Sequence, residues 1–416
     1  MELDAHERSI AEGAEGAASA MAMRIVAEAG RLLGAGCLIE IASVHVDGCL
    51  YHGDSSVHFI ERLVAEGGRV RVPTTLNVGA LDLLHPERVR GDSHFRDMAR
   101  RLMDGHLALG CTQSFTCAPY QSGHRPGLGQ HVAWGESNAV AFANSVLGAR
   151  TNRCGDFLDI SAGIAGRAPY CGLHLDRNRV ARAVVNTDAV SSALKGTDAF
   201  YPVLGAWLGA TLGEIVAAVD GLPSGLSDDR LKAIAAGAAS TGAIGLFHIV
   251  GVTPEAATVK DACGGGEPEM EVALTPEMVR QTRDRLSTVD DERIDAVAVG
   301  SPHFSRAEFA ALAALSRGQK FAIPFYACTG RDVLSTLANS GEQTALEEAG
   351  VVFVVDTCVV VAPILPEAGG VLMTNSAKFA HYGPANTGFE VVYGSLSDCV
   401  ASAVAGRVVR DETVWR

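Results

Sequence analysis

The C-terminal part of the chain alternates apolar runs with amphipathic ones. Three apolar runs predict strands: IDAVAVGSPH (294–303), KFAIPFYACTG (320–330) and VVFVVDTC (351–358). The stretches between them have the 3.6-residue period of helices, with Ser305 and Glu308 spaced as a capping box and Gly341 as a break. Strands that alternate with helices predict a parallel sheet with right-handed crossovers.

The N-terminal part has the same character. Its hydrophobic pattern predicts a helix over 5–34, a strand over 37–48, a helix over 54–68, a strand over 69–78 and helices over 85–105 and 136–149. The strand, helix and strand from 37 to 78 form a β–α–β unit. Residues 106–135 show little periodicity, and so long a loop is more often functional than idle.

We therefore predict an α/β fold in which several parallel sheets are flanked by helices. The pattern divides the chain into an N-terminal domain at 1–165, a middle domain at 166–290 and a C-terminal domain at 291–416. The middle domain is helical, with one clear apolar strand in IGLFHIVGVTPEA. A chain of 416 residues is long enough for such an arrangement.

Composition narrows the class of function. The formal net charge is −14 and no lysine- and arginine-rich run occurs, which argues against nucleic acid and against an anionic membrane as partner. No apolar run reaches the ~20 residues of a membrane span. The N-terminus MELDAHERSIAEG lacks the features of a secretory signal, so we expect a cytoplasmic protein that acts on a small molecule.

Two of the ten cysteines follow predicted strands. Cys328 and Cys358 end the second and third strands of the C-terminal domain, and carboxyl ends of parallel strands meet at one edge of a sheet. They are either buried thiols or ligands of a soft metal or an iron–sulfur cluster. A third ligand would come from elsewhere, with Cys117 as first candidate and Cys111 as its rival.

Polar residues also gather in MTNSAKFAHYGP (373–384), between a strand and a loop. In one interpretation Asn375 or Ser376 simply caps a helix. In the other, Ser376 or Lys378 handles a proton and Asn375 binds a polar substrate. A serine can act as a base only if positive charge or a metal stabilises its alkoxide.

Two further stretches are candidates for substrate binding. GESNAVAFANSVLGARTNR (135–153) carries an uncharged polar stripe and ends in arginines, and Arg150 could hold a carboxylate as a bidentate fork, with Ser137, Asn138 and Thr151 nearby. HVDGCLYHGD (45–54) places His52 and Asp54 at a strand-to-helix turn. A solvated face and helix caps are the structural alternatives.

Eight motifs in register, spread over about residues 38–407, resemble the aconitase X family, a branch of the aconitase superfamily. They are HVDGCLYHGD, RVRVPTTLNVGALD, FTCAPYQ, GESNAVAFANSVLGARTNRCGDFLDI, GLFHIVGVTPEA, VAVGSPHFS, VVDTCVVVAPILP and GGVLMTNSAKFAHYGP. The resemblance implies an aconitase-like core of α/β domains and an iron–sulfur hydro-lyase. It also implies that Cys117, Cys328 and Cys358 hold the cluster, whose type the sequence does not specify.

The resemblance offers two activities. Bacterial members of the family dehydrate cis-3-hydroxy-L-proline, and archaeal members dehydrate mevalonate 5-phosphate. The absence of a distinctive phosphate cradle favours the first. In that reaction Ser376, with Lys378 beside it, would take the Cα proton and Arg150 would hold the carboxylate, while iron assists departure of the 3-hydroxyl. The product would be pyrroline-2-carboxylate.

The family also suggests a partner. One-chain members carry an additional small swivelling domain, and this chain stops at Arg416, soon after the catalytic motifs. We therefore expect a separately encoded small subunit that closes the site. The alternatives from other classes are a non-catalytic binding protein on the same fold and a hydrolase using Ser376 and His381, although no G-x-S-x-G elbow surrounds that serine.

Overall fold

The computed structural model describes residues 1–290, 292–367 and 369–415. The chain forms two compact units: the first contains one parallel sheet and the second contains two, with helices packed on them. The predicted α/β class is confirmed. The division into three domains stays a prediction, and Asp291, where the third of them would begin, lies outside the described residues.

The first unit comprises residues 1–81 and 91–180. Its helices are α1 Ala5–Ala11, α2 Ala17–Leu32, α3 Asp54–Ala65, α4 Ser93–Ala108, α5 Ser137–Ser145 and α6 Leu158–Ala165, and its strands are β1 Leu38–Glu40, β2 Val44–Val46, β3 Thr74–Leu76, β4 Ala133–Trp134 and β5 Arg167–Pro169. A parallel sheet has the order β3-β2-β4, and β1 pairs antiparallel with β5.

The β–α–β prediction is confirmed, because β2 and β3 are parallel, with Val44 opposite Thr74, and α3 connects them. The single helix predicted over 5–34 is wrong. Gly13 and Gly16 have φ of 104° and 91°, a conformation that ends a right-handed helix, so α1 and α2 are separate. The strand predicted over 37–48 is also two strands, which belong to different sheets.

The second unit comprises residues 82–90 and 181–416. Its helices are α7 Ser192–Lys195, α8 Phe200–Leu212, α9 Asp228–Thr241, α10 Val259–Ala262, α11 Pro276–Arg285, α12 Arg306–Ser316, α13 Arg331–Ser340, α14 Glu342–Ala349, α15 Ala377–Thr387 and α16 Leu396–Ala405. Its strands are β6 Ala183–Asn186, β7 Ala217–Asp220, β8 Phe247–Ile249, β9 Met270–Ala273, β10 Ala296–Val299, β11 Phe325–Thr329, β12 Val351–Val355, β13 Gly370–Thr374 and β14 Phe389–Tyr393.

Two parallel sheets organise this unit, with the orders β8-β7-β6-β9 and β12-β11-β10-β13-β14. The sequence predicted only β8 in the first of them; β6, β7 and β9 are four residues long, and β7 follows the apolar helix α8 closely. In the second, β10, β11 and β12 are adjacent as predicted, so their carboxyl ends share one edge. Ser305 and Glu308 form the expected capping box, and Gly341 separates α13 from α14.

Candidate functional site

Cys328 and Cys358 lie together at the carboxyl edge of the five-stranded sheet. Cys328 is the fourth residue of β11, and Cys358 follows β12 by three residues. Both thiols are buried, and the amide of Val359 donates to Cys328 Sγ at 3.5 Å. The valine run of β12 therefore ends where the strand delivers a thiol to this edge.

The surroundings of Cys358 favour its thiolate. A hydrogen bond with the Cys328 thiol lowers the pKa of Cys358, in spite of burial, which opposes ionisation. The amide of Val360, the hydroxyl of Ser301 and the positive charge of Lys378 lower this pKa further. A thiolate stabilised in this way is both a metal ligand and a nucleophile.

The segment from Gly300 to Phe304, which we call the 300–304 segment, follows β10 and contacts both cysteine loops. The amide of Phe304 donates to Cys328 O at 3.0 Å, and His303 Nε2 lies 3.0 Å from Thr357 O. A Cβ added to Gly300, whose φ is 88°, would lie 2.1 Å from Cys328 O. Only glycine therefore allows the segment to approach β11 this closely.

A cavity of about 230 Å³ borders the same segment. Its lining includes Ser301 and Phe304, Asn375 and Ser376 after β13, and Lys232 on α9. The cavity and the cysteine pair thus share a wall, since the Ser301 hydroxyl that lines the cavity also contacts Cys358.

Ser376 is the N-cap of α15, as one of the two interpretations of its loop predicted. Its Oγ accepts from the amide of Phe379 at 3.0 Å and donates to the carbonyl of Ser301. The side chain of Lys378 is close enough to Cys358 to influence its ionisation. Asn375 Oδ1 is buried, with no hydrogen-bond partner among the atoms that the structure describes.

In the first unit, Cys117 lies in a network of hydrogen bonds around Asn138. Asn138 Nδ2 donates to Cys117 O at 2.7 Å and to Glu136 Oε2 at 2.6 Å, while Asn138 Oδ1 accepts from Tyr120 OH at 2.8 Å. Glu136 Oε2 also accepts from the amide of Ala139, which caps α5. The Asn138 amide therefore holds the main chain at Cys117.

The other residues of the predicted polar stripe are engaged within the first unit. Thr151 Oγ1 accepts from the amide of Trp134 at 3.0 Å, and Ser137 Oγ donates to Glu136 at 3.4 Å. Arg150 forms an ion pair with Asp176 and donates to His174 O at 3.1 Å. With 20% of its side chain exposed, Arg150 retains access to solvent.

His52 and Asp54 lie at the start of α3. His52 is exposed. Asp54 Oδ1 accepts from Tyr51 OH at 2.7 Å and lies 3.1 Å from His94 Nε2, and the hydrogen bond from Tyr51 lowers the pKa of Asp54. The role of both residues in substrate binding stays a prediction.

Models of the three domains of one family match most of the chain. Aconitase X first domain matches residues 1–177, Aconitase X second domain matches 181–284 and Aconitase X third domain matches 294–405. The chain belongs to the aconitase X family. The resemblance drawn from the sequence motifs is thereby confirmed.

Characterised members of the aconitase X family align along the whole chain. A cis-3-hydroxy-L-proline dehydratase of Pseudomonas aeruginosa is 39% identical over 99% of this chain and 72% of its own length. A second cis-3-hydroxy-L-proline dehydratase, from Hypocrea jecorina, is 40% identical over 98% of this chain and 69% of its own length. The phosphomevalonate dehydratase large subunit of Methanothermobacter thermautotrophicus is 36% identical, over 94% of this chain and 96% of its own length.

A solved structure supports the fold. The aconitase X of Thermococcus kodakaraensis, in its holo-form, has 32% sequence identity and a TM-score of 0.86, with 97% of this chain and 100% of that chain covered. The aconitase-like fold predicted for the chain is confirmed. Because the aligned relatives are dehydratases, the prediction of a hydro-lyase is confirmed as well.

The side chains present fit only part of a site for the iron–sulfur cluster that the family resemblance implies. Among the residues that the structure describes, no group of three His, Cys, Asp or Glu side chains is arranged to hold a metal ion. Two facing thiols, one of them with a lowered pKa, nevertheless have the donor chemistry that an iron–sulfur cluster requires. The second unit therefore fits part of such a site.

Sequence reasoning missed several residues of this aconitase X chain. Glu136 was overlooked because an acid before a helix suggests only a cap. Lys232 lies inside the ordinary-looking helix α9, yet only 2% of its side chain is exposed. Thr357 was not missed, because it lies in the predicted strand end VVFVVDTC; its Oγ1 is buried without a hydrogen-bond partner among the described atoms.

Within the described ranges, no helix is both long and apolar enough to cross a bilayer.

Proposed function

We propose that the chain is the catalytic subunit of a cis-3-hydroxy-L-proline dehydratase, which forms pyrroline-2-carboxylate by loss of water across Cα and Cβ. The observation that carries the proposal is the pair Cys328 and Cys358, buried at a sheet edge beside a cavity. The two hydroxyproline dehydratases aligned over nearly the whole chain support the choice of substrate.

The proposed cofactor is an iron–sulfur cluster held by Cys328 and Cys358, with Cys117 of the first unit as third ligand by resemblance to the family. When bound, the cluster supplies a Lewis acid for the leaving hydroxyl. In the second unit, the hydrogen bond with Cys328 and the charge of Lys378 keep Cys358 ready to bind metal as a thiolate. In the first, Asn138 fixes the main chain of Cys117.

The proposed substrate site in the second unit is the cavity beside the 300–304 segment. A volume of about 230 Å³ accommodates a five-membered ring amino acid. Asn375 offers a buried carbonyl oxygen that can accept from the ring ammonium. Apolar residues such as Phe304 exclude water from the reacting carbon atoms.

The proposed base is Ser376, with Lys378 as its stabiliser or its alternative. Ser376 Oγ already donates its proton to the carbonyl of Ser301, so it must exchange that bond for one to the substrate. The capping bond from the amide of Phe379 places the partial positive charge of an N–H next to the same oxygen, which favours the alkoxide.

Arg150 is the proposed carboxylate ligand of the first unit. It would have to share its guanidinium between the substrate and the exposed Asp176. The internal hydrogen bonds of Ser137, Asn138 and Thr151 support a role in shaping that region rather than direct contact with substrate. His52 and Asp54 remain proposed substrate-binding residues of the first unit.

The proposed partner is a separately encoded small subunit. The name of the relative from Methanothermobacter, a large subunit covered over 96% of its length, supports it. The hydroxyproline dehydratases extend beyond the matched region, which covers 72% and 69% of them. We propose the cytoplasm as the location, because the ten cysteines are free thiols, as a reducing compartment requires.

Mevalonate 5-phosphate dehydration is the second candidate. The observation in its favour is the end-to-end alignment with archaeal large subunits, at 36% identity in the first example. An arginine- or lysine-lined cradle would be needed for the phosphate. Around the cavity of the second unit, Arg230 is paired with Asp198 and Lys232 with Glu308.

One assay tests both candidates. The chain would be produced together with its small subunit, purified without oxygen, and supplied with cis-3-hydroxy-L-proline or mevalonate 5-phosphate. Loss of water from the proline alone is expected. Turnover of the phosphate ester alone would overturn the proposed substrate, and absence of iron together with absence of both activities would favour a non-catalytic binding protein.

A further inference from the structure

Lys232 is a buried cation that comes from α9, outside the five-stranded sheet. Its Nζ forms ion pairs with Glu308 and, at 3.0 Å, with Asp229 Oδ1, and it donates to His303 O at 3.2 Å. Burial lowers the pKa of Lys232, but the facing carboxylates of Glu308 and Asp229 more than offset this and raise it. The amine is therefore charged when it contacts the carbonyl of His303.

That carbonyl belongs to the 300–304 segment, which contacts every loop of the proposed site in the second unit. Besides the bonds of Phe304 and His303 to the two cysteine loops, Thr329 Oγ1 donates to Phe304 O at 2.9 Å. Ser376 donates to Ser301 O. A displacement of the segment would thus disturb the main chain at Cys328 and Thr357 and the Oγ of Ser376 together.

We infer that Lys232 is a positioning residue, which fixes the 300–304 segment through the carbonyl of His303 and so sets the placement of Cys328 and Cys358. Lys232 is buried with 2% of its side chain exposed, while its partners Asp229 and Glu308 keep 22% and 23% exposed. Burying the charge of a lysine is costly, since apolar residues of similar volume are often as good or better in a protein interior. The charge-assisted hydrogen bond from Lys232 to the carbonyl of His303 is a contact that an apolar side chain could not make. The inference rests on the proposed function only for the role of the two thiols.

The chain offers a matched control in Lys195. This lysine is also buried, with 8% exposed, lies in the same unit and donates to two backbone carbonyls, Thr187 O at 3.2 Å and Gly221 O at 2.9 Å. Neither carbonyl belongs to the 300–304 segment. Lys195→Met therefore removes a comparable buried amine without touching the proposed positioning contact.

The experiment compares Lys232→Met and Lys195→Met in the full chain. In the iron-free protein, the rates at which iodoacetamide alkylates Cys328 and Cys358 would be measured by peptide mass spectrometry. Under anaerobic conditions, binding of ferrous iron with sulfide would be titrated on the same samples. If Lys232→Met does not yield folded chain, the neutral triple variant Lys232→Met, Asp229→Asn, Glu308→Gln removes the uncompensated carboxylates and takes its place.

We expect alkylation of both cysteines to become several-fold faster in the Lys232 variant, and the affinity for iron to fall about tenfold or more, as when a supporting contact of a metal ligand is lost. Lys195→Met is expected to leave both unchanged. Wild-type alkylation rates in the folded Lys232 variant, or an equal change in the Lys195 variant, would overturn the inference. If even the wild-type chain binds no iron, the proposed function fails, while the alkylation rates still decide whether Lys232 positions the thiols.

Discussion

Arg331 and Asp356 form a bidentate ion pair, with Nε to Oδ1 and Nη2 to Oδ2 both at 2.6 Å. Asp356 is fully buried and has a φ of 62°, an uncommon conformation for a residue other than glycine. Burial raises the pKa of Asp356, and the hydrogen bonds from Arg331 oppose this rise. The pair therefore fixes the turn that carries the chain from β12 to Cys358.

Removal of the arginine should be strongly destabilising. Arg331→Ala leaves a buried carboxylate without its cation, and we expect the free energy of unfolding to fall by about 3 kcal/mol. Urea denaturation followed by circular dichroism measures this. The double variant Arg331→Met, Asp356→Asn should recover much of the loss, because no charge is then left unpaired. If the single variant is as stable as the wild type, the pair does not hold the turn.

Replacement of a proposed cluster ligand should separate iron binding from folding. Cys358→Ser is expected to lose most of its iron and its activity while the chain stays folded, because serine keeps the volume but is a poor ligand for soft metals. Iron and acid-labile sulfide per chain are the measurements. Cys399→Ser is the control, since Cys399 is a fully buried thiol within the core of the same sheet and should keep its iron.

Ser376 has two roles that different substitutions distinguish. Ser376→Ala removes the cap of α15, which costs about 1 kcal/mol, and removes the proposed base, so turnover should be lost with iron content intact. Ser376→Asn retains a capping oxygen but has no hydroxyl. Loss of turnover in both variants is expected. An active Asn variant would mean that the serine acts only as a cap, and loss of iron in either would assign it a structural role.

The local pattern of the sequence was enough to locate the sheet edge and the cysteine pair, since polar residues or a thiol stand at or just after the ends of β10, β11 and β12. It could not reveal Lys232 or Glu136, whose importance depends on partners brought close by folding. The hydrogen bond from Lys232 to His303 O spans 71 positions of the chain. The cavity beside Ser376 could not be predicted either, because its walls come from α8, α9, α12 and three loops of the sheet.

Backbone conformation explains the remaining differences. The helix predicted over 5–34 is rich in good helix-forming residues, and the positive φ of Gly13 and Gly16 separates α1 from α2. At Gly341, by contrast, the sequence predicted a break in the helix, and the structure has one, with a φ of 77°. Composition alone does not indicate which glycines adopt the left-handed conformation, since that depends on how the flanking helices pack.

Gly300 should tolerate no side chain. In Gly300→Ala the new methyl group collides with Cys328 O, so the variant should lose about 1–3 kcal/mol through overpacking, in addition to about 1 kcal/mol of backbone strain from its positive φ. Gly318→Ala is the control for strain alone, because Gly318 has a φ of 70° and no atom lies within 4 Å of the place that an added Cβ would take. Equal melting temperatures for the two variants would contradict the close approach of the 300–304 segment to β11.

The stability of the first unit should depend on pH through Asp159, which is fully buried beneath the turn at Asp47 and Gly48. Burial raises the pKa of Asp159 to about 7, despite hydrogen bonds from the amides of Gly48, Ile160 and Asp47. Between the ordinary aspartate pKa of 3.8 and about 7, the unfolded chain has released a proton that the folded chain retains. The free energy of unfolding should therefore fall as the pH rises through this interval and level off above it.

Urea denaturation at several pH values across this interval tests the prediction. Asp159→Asn cannot ionise, so it should lose the part of the slope that Asp159 contributes. Asp104→Asn, on the exposed face of α4, should keep the wild-type slope. If Asp159→Asn retains the full slope, the carboxyl is already ionised in the folded protein, and the three amide donors outweigh the cost of its burial.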